Sequence, residues 1–78
     1  MKRYLKKPIP VEARQYNSTS LEDIVAWGEG KIEHFHGLRI TTLEGVMSPS
    51  VGDYVVKGPM GEFWFVRREI FEATYEEL

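Results

Sequence analysis

The stretch that most restricts how this chain can fold is Tyr54–Val66, YVVKGPMGEFWFV, in which two runs of branched and aromatic residues flank Gly58-Pro59-Met60-Gly61. Such side chains favour extended backbone because they pack on a pleated surface. Proline presets φ at about −65° in a β-turn, and glycine supplies the left-handed or bulged residue that closes a hairpin. An antiparallel hairpin is therefore predicted, with strands over Tyr54–Lys57 and Glu62–Val66. The competing reading is a phosphate-cradling loop, which needs a helix N-terminus after the glycines so that unpaired N–H groups can hold the anion. Here a strand follows, and Glu62 puts a negative charge where phosphate would approach.

A hairpin this apolar has to bury itself within 78 residues, which is one domain, 1–78. A domain of that size covers only about 60% of the surface its unfolded chain exposes. The chain has no cysteine, which rules out disulfides and thiolate metal sites, fits a reducing cytoplasm, and leaves self-association as the simplest reinforcement. Strand alternation groups Tyr54 with Val56 and Phe63 with Phe65, and it turns Trp64 and Val66 away from Phe63. Both faces then carry large apolar groups, more than a small monomer usually leaves in water. Burial of the second face against another subunit predicts a homo-oligomer, a dimer being the commonest geometry.

Elsewhere, Ile9, Val11 and Ala13 alternate with Pro10, Glu12, Arg14 and Tyr16, the period of a half-buried strand. Pro10 cannot donate to a ladder, so an edge position is expected. Thr19 and Glu22 have capping-box spacing ahead of Leu21, Ile24 and Val25, with Gly28 and Gly30 as the stop. One short helix is predicted there. Ile32–His36, Leu38–Thr42 and Val46–Ser48 read as a meander turned at Gly37 and Gly45. A single helical turn is expected within Arg67–Ala73, and Thr74–Glu77 reads as a terminal strand. The expected class is α+β: a small bent antiparallel sheet, or partial barrel, of about five or six strands with one short helix.

Ten Lys and Arg stand against twelve Asp and Glu, a net charge of −2, so no global field draws the protein to nucleic acid or an anionic membrane. The Thr19–Gly28 segment is acidic at Glu22 and Asp23 and has no basic residue, which excludes a DNA-recognition helix and a basic interfacial helix alike. The basic N-terminus lacks the apolar run of a signal peptide. His34 and His36 have the spacing of two imidazole ligands on one strand face, but Glu33 points the other way and no third ligand is apparent. No metal or cofactor is expected. Ser48, Ser50 and Asp53 lack a nucleophile elbow, and the remaining carboxylates are scattered, so no enzyme is predicted.

The last third combines aromatic and basic residues, an arrangement that can stack a base and pair with phosphate. Tyr54, Lys57, Trp64, Arg67 and Arg68, with Arg39, are the candidate ligand-binding residues. The order KKPIPVEARQY, then ITTLEG, then GDYVVKGPMGEFW and finally IFEATYE resembles a family of short, mostly uncharacterised proteins of tailed bacteriophages and prophages. The resemblance spans nearly the whole chain and is most specific from Gly52 to Tyr75; Phe65–Arg68 departs from the aromatic-Pro-Cys-Lys stretch of many members. It implies a phage protein in the cytoplasm of a bacterial host and carries no catalytic motif. In that setting two functions are expected: a counter-defence sponge that sequesters a nucleotide immune signal at an oligomer interface, or a protein-interaction module that inhibits a host protein or serves in phage assembly.

Overall fold

A computed structural model describes the whole chain, Met1–Leu78. The elements run β1 (Glu12–Gln15), α1 (Leu21–Trp27), β2 (Ile32–His34), β3 (Leu38–Thr42), β4 (Gly45–Met47), β5 (Tyr54–Lys57), β6 (Phe63–Val66) and α2 (Arg68–Thr74). The class is α+β, but the single bent sheet is replaced by two three-stranded antiparallel sheets, ordered β1-β5-β6 and β2-β3-β4, with no closed barrel. A second helix, α2, joins the one expected, and no strand forms over Thr74–Glu77.

The predicted hairpin forms, its second strand starting at Phe63 rather than Glu62, with Tyr54 opposite Val66 and Lys57 opposite Phe63. Gly61 N–H donates to the Gly58 carbonyl (3.1 Å), and Gly61 takes φ 78°, a conformation that a residue with a Cβ resists. The Glu62 carboxylate folds back over the loop and accepts from the Met60 N–H at 3.3 Å. A side chain at Gly58 would collide with that carboxylate and with Trp64. The loop is thus filled by its own carboxylate.

The core gathers Tyr16, Ile24, Ile32, Leu38, Ile40, Val55 and Phe63, with Leu21, Val25, Trp27 and Phe65 packed around it. It lies where β3 of one sheet meets β6 of the other and where α1 meets β2. Burying each such side chain contributes about 1.5–3 kcal/mol. Tyr16, expected beside Glu12 and Arg14 on the polar side of its strand, is 7% exposed. The chain turns after Gln15, and the Tyr16 backbone is held by Asp53 O (2.8 Å) and Gly52 N (2.7 Å).

The apolar spacing of α1 is as predicted, but its start is organised differently. No side chain caps the helix at Ser20, so the Thr19–Glu22 capping box does not form. Instead Asn17 Oδ1 accepts from the N–H groups of Thr19 (3.0 Å) and Ser20 (2.9 Å) and from the Thr19 hydroxyl (2.7 Å). Asparagine bonds its own backbone two residues on more readily than a threonine reaches three ahead. At the other end Gly28 packs on Ile32 so closely that an added Cβ would sit 2.6 Å from it.

β1 is an edge strand, as Pro10 implied, but it begins only at Glu12. Met1–Pro10 are exposed throughout, with one short-range hydrogen bond from Ile9 N–H to the Lys7 carbonyl. The radius of gyration is 13.2 Å, against about 11.5 Å for a compact domain of this length. No helix is long and apolar enough to cross a membrane.

Candidate functional site

A groove of about 400 Å³ lies between the β3–β4 hairpin and β6. Leu43 and Met47 border it from the hairpin, and Phe63, Trp64 and Phe65 from β6. Its polar groups are Thr42, Glu44 and Glu62. Leu43 is 90% exposed and Met47 41%, so the hairpin side of the groove is open, whereas Phe63 is buried and Trp64 and Phe65 are half-buried. β6 hydrogen-bonds with β5 alone, so its outer edge carries no ladder, while β3 of the other sheet packs close by. An apolar groove beside an unpaired strand edge can take an extended peptide, main-chain hydrogen bonds giving affinity and the groove selecting side chains.

The six predicted ligand-binding residues lie in three places. Trp64, half-buried, borders the groove, and Lys57 stands at the same end of the hairpin. Lys57 Nζ is 2.6 Å from Glu29 Oε1. That hydrogen bond lowers the Glu29 pKa and raises that of Lys57. At the opposite end, Tyr54 stacks on Phe71 (centroids 4.0 Å apart, 11° between planes), which stacks on Tyr75 (4.5 Å). The Tyr54 hydroxyl donates to Glu72 Oε2 at 3.3 Å. Its pKa is raised, first by burial and then by the Glu72 charge, against a smaller opposing effect of Arg68. Arg67 and Arg68 are exposed at the start of α2, and neither joins an ion pair. Arg39 sits in the other sheet, 3.4 Å from Glu33 Oε1 and over the Phe35 ring at 4.6 Å. The four cations therefore form no single cluster within one chain.

His34 ends β2, while His36 lies beyond it at φ 52°, packed edge-on to Phe35, so the two imidazoles do not share a strand face. Ser50 and Asp53 hold each other across a turn, Ser50 N–H donating to Asp53 Oδ2 at 2.9 Å.

Two features escaped sequence reasoning. Leu43, Glu44 and Met47 become site residues only because their hairpin is brought to β6; the available signal was three large apolar residues, Leu43, Val46 and Met47, around a turn where polar ones suffice. The second is Arg14, which lies 4.5 Å over the Trp27 ring, itself edge-on to Phe63. The Trp27 indole N–H is buried there without an acceptor.

Compared with protein-family models, with curated proteins and with solved structures, the chain matches none.

Proposed function

We propose that the chain is a non-catalytic protein-interaction module that receives an extended apolar segment of a partner in the groove beside β6. The tailed-phage and prophage resemblance supplies the setting, with a host or phage protein in the bacterial cytoplasm as partner. The observation that carries the reading is the groove itself: Leu43 and Met47 lie uncovered beside Trp64 and an unpaired strand edge. Selection of random displayed peptides against the protein tests it. Binders should share an extended apolar pattern, and Trp64→Ala or Leu43→Asp should abolish their capture. Failure to enrich any sequence, or binders indifferent to both substitutions, would remove the reading.

A second reading, a nucleotide sponge assembled between subunits, is favoured by Arg67 and Arg68, exposed and without ion pairs beside the Tyr54–Phe71–Tyr75 stack. Lys57 and Arg39 would have to leave Glu29 and Glu33 to join them. Calorimetric titration with cyclic dinucleotides and ADP-ribose derivatives decides it: binding lost in the double variant Arg67→Glu/Arg68→Glu supports the sponge, and absence of heat in the unaltered protein removes it.

A further inference from the structure

The proposed groove has a matching occupant within the same sequence. We propose that Met1–Val11 of a second copy lies along it, so that two subunits assemble by exchanging N-terminal arms. This rests on the reading of the groove as a site for an extended segment.

Chemical complementarity is the first support. The arm combines apolar groups, Tyr4 at 88% and Leu5 at 94% exposure, with Lys2, Arg3, Lys6 and Lys7. The groove combines apolar Leu43, Met47, Trp64 and Phe65 with the carboxylates of Glu44 and Glu62. None of the arm's cations joins an ion pair in its own chain. Opposite charges on the two surfaces set orientation and speed encounter.

The second support is conformational. Pro8 and Pro10 hold φ and push Lys7 and Ile9 toward extended backbone, which reduces the ordering entropy that binding would otherwise cost. Residues 2–7 contain no proline, so they keep every N–H needed to pair with the unpaired edge of β6. The prolines fall where the segment would leave such a ladder.

Topology favours a second copy over the arm's own body. β1 and β6 are opposite edges of one sheet with β5 between them. The arm leaves β1 at Glu12 beside Lys57 and is exposed from Met1 to Pro10 instead of crossing the sheet. Reciprocal exchange between two copies is isologous and closes at the dimer.

Sedimentation velocity of the full chain over a wide concentration range is the test. The unaltered protein should dimerise, and Leu5→Asp should weaken dimerisation at least ~10-fold, about 1.4 kcal/mol, with unchanged circular dichroism because the arm has no core contact. Glu44→Lys/Glu62→Lys should weaken it too, and Lys6→Glu/Lys7→Glu in the same chain should restore it. A protein monomeric at millimolar concentration, or a dimer indifferent to Leu5→Asp, overturns the arm exchange. The two proposals fail separately: if Leu5→Asp leaves the dimer intact while Trp64→Ala still loses selected peptides, arm exchange falls and the groove stands. If Trp64→Ala changes neither property, both fall.

Discussion

The outer face of the β5–β6 hairpin is treated differently at its two ends. Where Tyr54 opposes Val66, α2 lays Phe71 and Tyr75 over the sheet in a continuous aromatic stack. Where Val56 opposes Trp64, Val56 is fully buried but Trp64, half-buried, borders an open groove. The reason is length. α2 starts immediately after Arg67 and has seven residues, a rod of roughly 10 Å, so it shields the end at which β6 finishes and little more. The surplus apolar surface that argued for a partner subunit is therefore shared between a helix of the same chain and the groove.

Adjacent residues on β6 offer the most forceful way to break this comparison. Phe63 is 1% exposed and packs edge-on against Trp27 in the core; Trp64 points the other way. Phe63→Ala should cost roughly 3–5 kcal/mol, most of what a domain of this size has, and abolish a cooperative thermal transition. Trp64→Ala, at a half-buried position, should cost about 1 kcal/mol in denaturant titrations, the centre of the range for point substitutions, while removing groove binding. Equal losses at the two positions would mean that the outer face is as structural as the core.

A smaller effect sharpens the covered end. Phe71→Ala removes the ring between Tyr54 and Tyr75, each stacking contact contributing about 0.5–1.5 kcal/mol beyond area burial. It also uncovers the Tyr54 phenol. Burial is the main cause of that group's raised pKa, so its tyrosinate absorbance should appear at lower pH in Phe71→Ala than in the unaltered protein. Glu72→Gln should give a smaller shift of the same sign. Because the folded-state value is raised, the contribution to stability is complete below the ordinary tyrosine pKa and is lost as pH rises through the folded one. An unshifted titration in Phe71→Ala would show that α2 does not dry this end of the sheet.

What could be read from the residues divides along the same line, between local and distant causes. The β5–β6 hairpin and the apolar stripe of α1 were legible because turn chemistry and side-chain spacing act over a few residues. The start of α1 misled, since Asn17 takes the Thr19 N–H that the Glu22 side chain would need in a capping box, and spacing alone does not rank the two acceptors. The split into two sheets was not legible: the β2–β4 meander packs across the core from β5–β6, and no local signal says whether successive strands share a ladder. α2 was undercalled because seven residues end in Thr74, a strand former, whose hydroxyl here bonds back to the Ile70 carbonyl at 2.6 Å. Trp64 was recognisable as surplus apolar surface, whereas Leu43 and Met47 acquire meaning only when their hairpin is set against β6.

The Glu29–Lys57 pair gives the smallest expected effect and the finest probe of the open end. Lys57 Nζ lies on Glu29 Oε1 at 2.6 Å and over the Phe63 ring at 5.8 Å, which joins the left-handed turn after α1 to the last residue of β5. Glu29 has its pKa lowered in the folded state, so its contribution is present above the ordinary glutamate value and disappears as pH falls through the lowered one. Lys57 has its pKa raised, so its share persists to the ordinary lysine value and is lost only as pH rises beyond it. Glu29 is exposed and Lys57 half-buried, so the pair still meets solvent and salt screens it. Glu29→Gln should therefore lower stability slightly at neutral pH, leave it unchanged in strong acid, and lose its effect in high salt, as read by denaturant midpoints across pH. If the pair instead mattered as much as Phe71, the turn after α1 would be holding β5 in place electrostatically, and the groove end would owe its shape to charge rather than to packing.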